Sequence, residues 1–266
     1  MGWGDEIVAA GQAQRLYDAD PATRIAIVDQ QGFARWHDIW DHNPILARPS
    51  DVARGEVVRK IRNGPNCRPY IVYPFSKESG WTFDKSFRCA DHMARIYLTA
   101  DEIARGTLAR AHHGPYVLIE PFTKHDNFRW PMERWQQLVA ACPDLTFVQH
   151  IHAESPLVLG AFSEAATFRE ACGLLTGADA YVRSESGMCH AAAALGVPQV
   201  TIFGGCMDPE VMGGYPLQTV LAEGPPCGAW LPCNHCEKVM ERLTVGRVID
   251  ALRGVLRVRK RNGQAA

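Results

Sequence analysis

Short apolar runs alternate with stretches of helical period along the whole chain. RIAIVD (24–29), RPYIVYP (68–74), PYVLIEP (115–121), LTFVQHI (145–151), DAYVRS (179–184), PQVTIFGG (198–205) and QTVLAEG (218–224) read as strands. Between them lie DEIVAAGQAQRLY (5–17), DKSFRCADHMARIYL (84–98), ADEIARGTLAR (100–110), PMERWQQLVAACP (131–143), TFREACGLLTGA (167–178) and GMCHAAAALG (187–196), which read as helices. Apolar runs this short, separated by helices, predict parallel strands covered on both faces, an α/β doubly wound fold. AHHGP (111–115) interrupts the pattern before a new strand. It predicts two Rossmann-like units, a short one over 1–112 and a complete one over 113–266.

Bulk composition narrows the setting. With 266 residues and 47% hydrophobic positions the chain can bury a core without staples. A net charge of −1 gives no global attraction to nucleic acid or anionic membrane. No apolar run reaches the roughly 20 residues of a membrane span, and the start lacks a basic, then apolar, export signal. The expected compartment is cytoplasmic, where nine scattered cysteines are reduced thiols. Arg253, Arg257, Arg259, Lys260 and Arg261 make the C-terminal tail basic. It reads as a solvated helix end, with peripheral membrane or nucleic-acid contact as the alternative.

In open α/β sheets ligands bind beyond the carboxyl ends of the strands, where loops turn into helices. Three such loops carry chemistry. At the start, Gly2 and Gly4 permit close backbone approach, and Asp5 stands at a helix start as either an N-cap or an oriented general base. After PYVLIEP, residues Thr123, Lys124, Asn127 and Arg129 precede a helix opening near Pro131, which reads as either a phosphate cradle or a solvated loop. After DAYVRS, Ser184 or Ser186 can cap the helix that starts at Gly187. The backbone N–H groups of Gly187 and Met188, with His190 in the first turn, suit an anion at the positive end of the helix dipole. Glu185 can accept from sugar or ribose hydroxyls.

Together, in this order, the loops resemble the heptosyltransferase-type glycosyltransferases of family nine, which have the GT-B fold. The matching residues are Gly2, Gly4 and Asp5; Lys124 with Trp130, Pro131, Glu133 and Trp135; and Glu185, Gly187, His190, Ala193, Gly196, Pro198, Phe203, Gly204, Asp208 and Pro209. The resemblance spans most of the chain and is weakest over residues 30–110. It implies an inverting, metal-independent transfer of a sugar from a nucleotide-sugar, ADP-heptose-like or other, to an acceptor hydroxyl. Asp5 would be the general base. Thr123, Lys124, Ser186, Gly187 and His190 would hold the donor diphosphate beside Glu185, and Gly2, Gly4 and Gly204 would support the loops. Two departures stand out: family members carry a strand before the GxGD motif, and Glu185 replaces a common aspartate. The alternatives are a nucleotide-sugar epimerase or hydrolase, and a nucleotide-sugar-binding protein without catalysis. The acceptor can be lipopolysaccharide, another glycan or a modified DNA base.

Cys227, Cys233 and Cys236, with Cys206 as a fourth thiol, offer a tetrahedral zinc set. Free thiols are the default reading, and no cofactor is required for the implied transfer.

Overall fold

The computed structural model describes residues 2–76, 78–152 and 154–263, with side chains up to Val258. The expectation for Arg259, Lys260 and Arg261 therefore falls outside the described side chains. The chain opens with α1 (Trp3–Ala19), β1 (Ile25–Val28), α2 (Pro49–Ala53), β2 (Arg59–Arg62), β3 (Ile71–Val72), β4 (Thr82–Phe83) and α3 (Ala100–His113). It continues with β5 (Tyr116–Glu120), α4 (Met132–Ala140), β6 (Thr146–Ile151), β7 (Phe162–Ala165), α5 (Phe168–Gly177), β8 (Ala180–Ser184) and α6 (Gly187–Ala194). It closes with β9 (Gln199–Phe203), α7 (Pro209–Met212), β10 (Gln218–Ala222), α8 (Asn234–Arg242) and α9 (Val245–Gly263).

The second half is the predicted α/β unit. Six parallel strands lie in the order β10-β9-β8-β5-β6-β7. The strand order therefore reverses between β5 and β8, and at such a switch point the flanking connections run to opposite faces and leave a crevice. Alternation along the strands sorts their side chains between two cores. Tyr116, Leu118 and Tyr181 join α1, α5 and α6 on one face. Val117, Ile119 and Val182 join α4 and α9 on the other.

The first half forms a smaller parallel pair, β1 with β2, and an antiparallel pair, β3 with β4. Ile7, Ala10, Ile25, Ile27 and Trp40 lie in the same apolar cluster as Leu118 and Ala191, so this half shares a core with one face of the large sheet. Two expectations are corrected here. RPYIVYP yields only the two residues of β3, because Pro69 and Pro74 bracket it and proline cannot donate to a ladder. The predicted helix over 84–98 is absent apart from a 3-10 turn at Cys89–Asp91. Its apolar residues do not form a helical stripe: Phe87 and Cys89 enter a core with Tyr70 and Met212, while Lys85 pairs with Asp208 and Arg88 donates to the Glu210 carbonyl at 2.9 Å. Tertiary contacts override the local period.

Candidate active site

A cleft of ≈ 580 Å³ opens where β5 and β8 end, within the size range of small-molecule sites. Gly2, Gly4, Asp5, Thr123, Lys124, Glu185, Ser186, Gly187 and His190 all line it. Residues far apart in the chain thus meet at one place. Gly204 does not reach it: a methyl group there would stand 2.2 Å from the Asn127 carbonyl oxygen, so this glycine lets the 122–129 loop pack on the end of β9. A second hollow of ≈ 550 Å³ lies at the amino ends of the strands, where Arg253 is already paired with Asp144.

Two helix N-termini cross at the cleft. A methyl group on Gly4 would approach Gly187 Cα to 3.1 Å and His190 Cδ2 to 3.0 Å, and one on Gly187 would lie 2.7 Å from the Gly4 nitrogen. Only glycine at both positions allows this approach. The positive ends of the α1 and α6 dipoles therefore converge on the cleft. Ser186 is the α6 N-cap and accepts from the Met188 N–H at 3.2 Å, so of the two serines that can cap, the second does. Asp5 is not an N-cap; it lies in the first turn of α1 and its Oδ2 accepts from the Gly2 N–H at 3.0 Å. Its Oδ1 accepts from the Tyr70 hydroxyl and from Arg68 Nε at 3.1 Å. Burial, then the charge of Asp5, pushes the Tyr70 phenol well up, so Tyr70 stays a donor.

His190 is held from both sides. Its Nδ1 lies 2.7 Å from the Tyr215 hydroxyl and its Nε2 lies 3.7 Å from Glu185 Oε1. A proton on Nε2 is favoured beside the carboxylate, which leaves Nδ1 to accept from Tyr215. Burial above all raises the Tyr215 pKa, consistent with that donation. The Tyr215–His190–Glu185 chain thus presents a donor N–H at the start of α6. The partner Tyr215 was not read from the sequence, since nothing in its spacing links it to His190.

The 122–129 loop is fixed by its own contacts. Thr123 is buried and its hydroxyl donates to the His125 carbonyl at 2.9 Å, while Lys124 is exposed at the cleft edge. Asn127 donates to the Ala229 and Leu231 carbonyls, both at 2.9 Å, and accepts from the Cys233 N–H at 3.2 Å. It is a structural tie to the 229–233 segment.

The cleft floor holds three ionisable groups that the sequence reading missed. Glu120 Oε2 accepts from Arg183 Nη1 at 2.5 Å and from Tyr181 at 3.2 Å, and lies 3.3 Å from His150 Nδ1. Arg183 also donates to the Phe122 carbonyl at 3.1 Å, at the root of the Lys124 loop. Burial opposes the charge on Glu120, yet Arg183 and His150 hold its carboxyl below the usual range. Burial likewise opposes charge on His150, but Glu120 raises its pKa above the ordinary histidine value. A raised folded-state pKa gives stability that is full below the unfolded pKa of about 6.5 and is lost as pH rises through the folded value. His37 and His92 are shifted down by burial, so their effect falls below that window. Thermal unfolding measured upward from about pH 6.5 should therefore show a loss of stability that His150→Gln abolishes.

Three of the four thiols of the zinc reading come together. The Sγ atoms of Cys227, Cys233 and Cys236 lie within 4.8 Å of one another. Cys206 stands apart from this group and donates to the Ala229 carbonyl at 3.0 Å, which corrects its assignment as a fourth ligand. Burial, then the neighbouring thiols, drives Cys236 far up, whereas N–H and thiol donors bring Cys233 down despite burial.

Comparison with known proteins bears on the same region. Residues 144–224, from before β6 to just past β10, match the model of glycosyltransferase family 9 (heptosyltransferase). No curated protein sequence matches the chain. Among solved structures, a family 9 glycosyltransferase of Veillonella parvula superposes with a TM-score of 0.69 at 14% identity, over 96% of this chain and 94% of that one. The ADP-heptose lipopolysaccharide heptosyltransferase II of E. coli gives 0.66 at 14% identity, over 97% of each. An iron-containing dodecameric glycosyltransferase of enterotoxigenic E. coli gives 0.65 at 16%, over 97% of this chain and 74% of that one. At such identities the superpositions show the fold. The family 9 match over 144–224 and the shared fold over nearly the whole chain agree with a heptosyltransferase-type glycosyltransferase and do not favour the epimerase, hydrolase and binding-protein readings. The family 9 match includes β8, α6 and β9, and so contains Glu185, Gly187 and His190. Among the described residues no helix is long and apolar enough to cross a membrane.

Proposed function

We propose that the chain moves a sugar from a nucleotide-sugar of the ADP-heptose type to an acceptor hydroxyl, with inversion at the sugar carbon and no cofactor in the reaction. The crossing of the α1 and α6 N-termini carries this reading. It sets backbone N–H groups, the His190 N–H and the Lys124 ammonium around one place, which suits charge developing on a leaving nucleoside diphosphate. Thr123 and Ser186 shape the two loops that bound this place. Asp5, on the first turn of α1, takes the acceptor proton. Arg68 and Tyr70 orient its carboxylate through Oδ1, and Oδ2, which accepts only from the Gly2 N–H, keeps a lone pair for the incoming hydroxyl. The 1–112 portion supplies the acceptor side and 113–266 the donor side. The protein acts in the cytoplasm, and the heptosyltransferase likeness favours a glycan acceptor.

A thermal-shift series with ADP, GDP and UDP tests the donor site. At a hundredfold excess over Kd, the true nucleotide should stabilise the fold by about 2.7 kcal/mol. No shift with any nucleotide would remove the donor-site reading.

The thiol group fits a structural zinc outside the reaction. Tetrahedral zinc with bonds of about 2.3 Å sets its sulfurs about 3.8 Å apart. The Cys227 Sγ lies 3.9 Å from Cys233 and 3.6 Å from Cys236. Purified protein should contain close to one equivalent of metal by elemental analysis, and Cys233→Ser should lose it. Metal-free protein from a zinc-supplemented culture would leave these residues as free thiols.

A further inference from the structure

One wall of the cleft is aromatic, and its Trp81 is anchored from behind by edge contacts with Phe75 and Phe83, each at 6.2 Å. Trp81 comes from the first half of the chain and Trp230 from the segment before α8, and both line the cleft with His125 and Phe128. The Trp81 and Trp230 ring centroids are 4.8 Å apart at 67°, and His125 meets Trp230 at 4.7 Å and 69°. These are edge-to-face contacts, which do not cover ring faces as stacking does. Trp3 and Phe168, also at the cleft, differ: they stack at 4.2 Å and 6°, closing their faces on one another.

The backbone is built to bring the two tryptophans together. Trp81 N–H donates to the Gly228 carbonyl at 2.7 Å. A methyl group on Gly80 would lie 2.5 Å from the Gly228 oxygen, and one on Gly228 would lie 2.0 Å from the Trp81 oxygen. Both glycines adopt positive φ, +70° and +69°. Asn127 then pins the far side of Trp230 through the Ala229 and Leu231 carbonyls. The indole N–H of Trp81 is buried without a hydrogen-bond partner, so a phenylalanine would satisfy simple packing at lower cost. The wall also belongs to the Asp5 side. Trp81 precedes β4, which pairs with β3 directly after Tyr70, the residue that donates to Asp5.

Resting on the glycosyltransferase reading above, we propose that Trp81 of the acceptor-side portion, met across the cleft by Trp230 of the donor-side portion, forms the acceptor subsite and that the acceptor presents a pyranose ring there. The apolar C–H face of the ring lies on the indoles, and its hydroxyl rim faces Asp5 and Arg68. A pyranose combines the two surfaces that this end of the cleft combines: aromatic faces and a carboxylate with its guanidinium.

Saturation-transfer NMR with methyl α-D-glucopyranoside and methyl α-D-mannopyranoside, in the presence of the nucleoside diphosphate that stabilises the protein, tests this. Transfer to ring C–H protons is expected in the wild type, with an affinity loss of roughly tenfold in Trp81→Ala and in Trp230→Ala. Trp230→Phe guards against loop collapse and should retain most of the signal. The nucleotide-induced thermal shift should be unchanged in all three variants. Undiminished transfer in both alanine variants would overturn the proposal, as would absence of pyranoside signal from a wild type that still binds nucleotide. Failure of every nucleotide to bind would instead strike the donor site itself.

Discussion

Asp5→Asn should lower kcat/KM for sugar transfer by about a hundredfold to ten-thousandfold, the usual contribution of a positioned general base. The substitution keeps the shape and one acceptor oxygen, so either the Gly2 N–H or the Tyr70 hydroxyl retains its partner while the other faces the new amide NH2. It removes the charge that Arg68 faces, and Arg68 is mostly shielded in the cleft wall. Nucleotide affinity should be nearly unchanged, because the diphosphate meets the helix starts, His190 and Lys124 rather than this carboxylate. Steady-state rates beside calorimetric nucleotide binding separate the two effects. Turnover within threefold of the wild type would assign the base elsewhere.

Gly187→Ala is expected to damage donor binding and folding together. The added methyl meets backbone, the Gly4 nitrogen at 2.7 Å, so no side-chain rotation relieves it. Overpacking of this kind costs about 1–3 kcal/mol. Pushing α1 off α6 also separates the two helix starts that face the diphosphate, and a tenfold or greater rise in nucleotide Kd should follow. Gly196→Ala is a useful contrast: φ there is +68° but the space around it is open. It should destabilise through backbone strain and leave nucleotide affinity intact. Equal losses of affinity in both variants would mean that the effect comes from general destabilisation.

The second half of the chain was legible because its strands are continuous apolar runs and its loops carry the charged residues. β5, β6, β8, β9 and β10 follow from local pattern, as does a serine cap on α6, whose choice between Ser184 and Ser186 only the structure makes. β7 escaped because FSEA is an exposed edge strand with no apolar run, and β2 because RKIR is charged. The segment 84–98 misled because its apolar spacing serves contacts with residues beyond 200. The site divided the same way. Asp5, Gly187 and His190 stand at helix starts and Lys124 in the loop ahead of one, where a motif is visible. Glu120, His150 and Arg183 lie within or at the ends of strands, and only the sheet order shows that they are neighbours. Tyr215 and Trp230 belong to loops with no periodic signal at all.

The shared core under α1, β1 and α6 bears on how substrates come and go. Ile7, Ala10 and Ile27 are buried in the same cluster as Ala191 and Leu118, and Gly4 rests on Gly187 without an intervening side chain. Swinging one half away from the other would expose that cluster to water at each turnover, at about 25 cal/mol for every Å² uncovered. Traffic through the cleft is therefore expected to follow excursions of its rim, the segments around Trp81 and Lys124. Such segments move in nanoseconds to microseconds, whereas whole-domain hinges take microseconds to milliseconds. Product release in this chain is then a matter of loop kinetics, and relaxation measurements on the tryptophan indoles are where it should be visible.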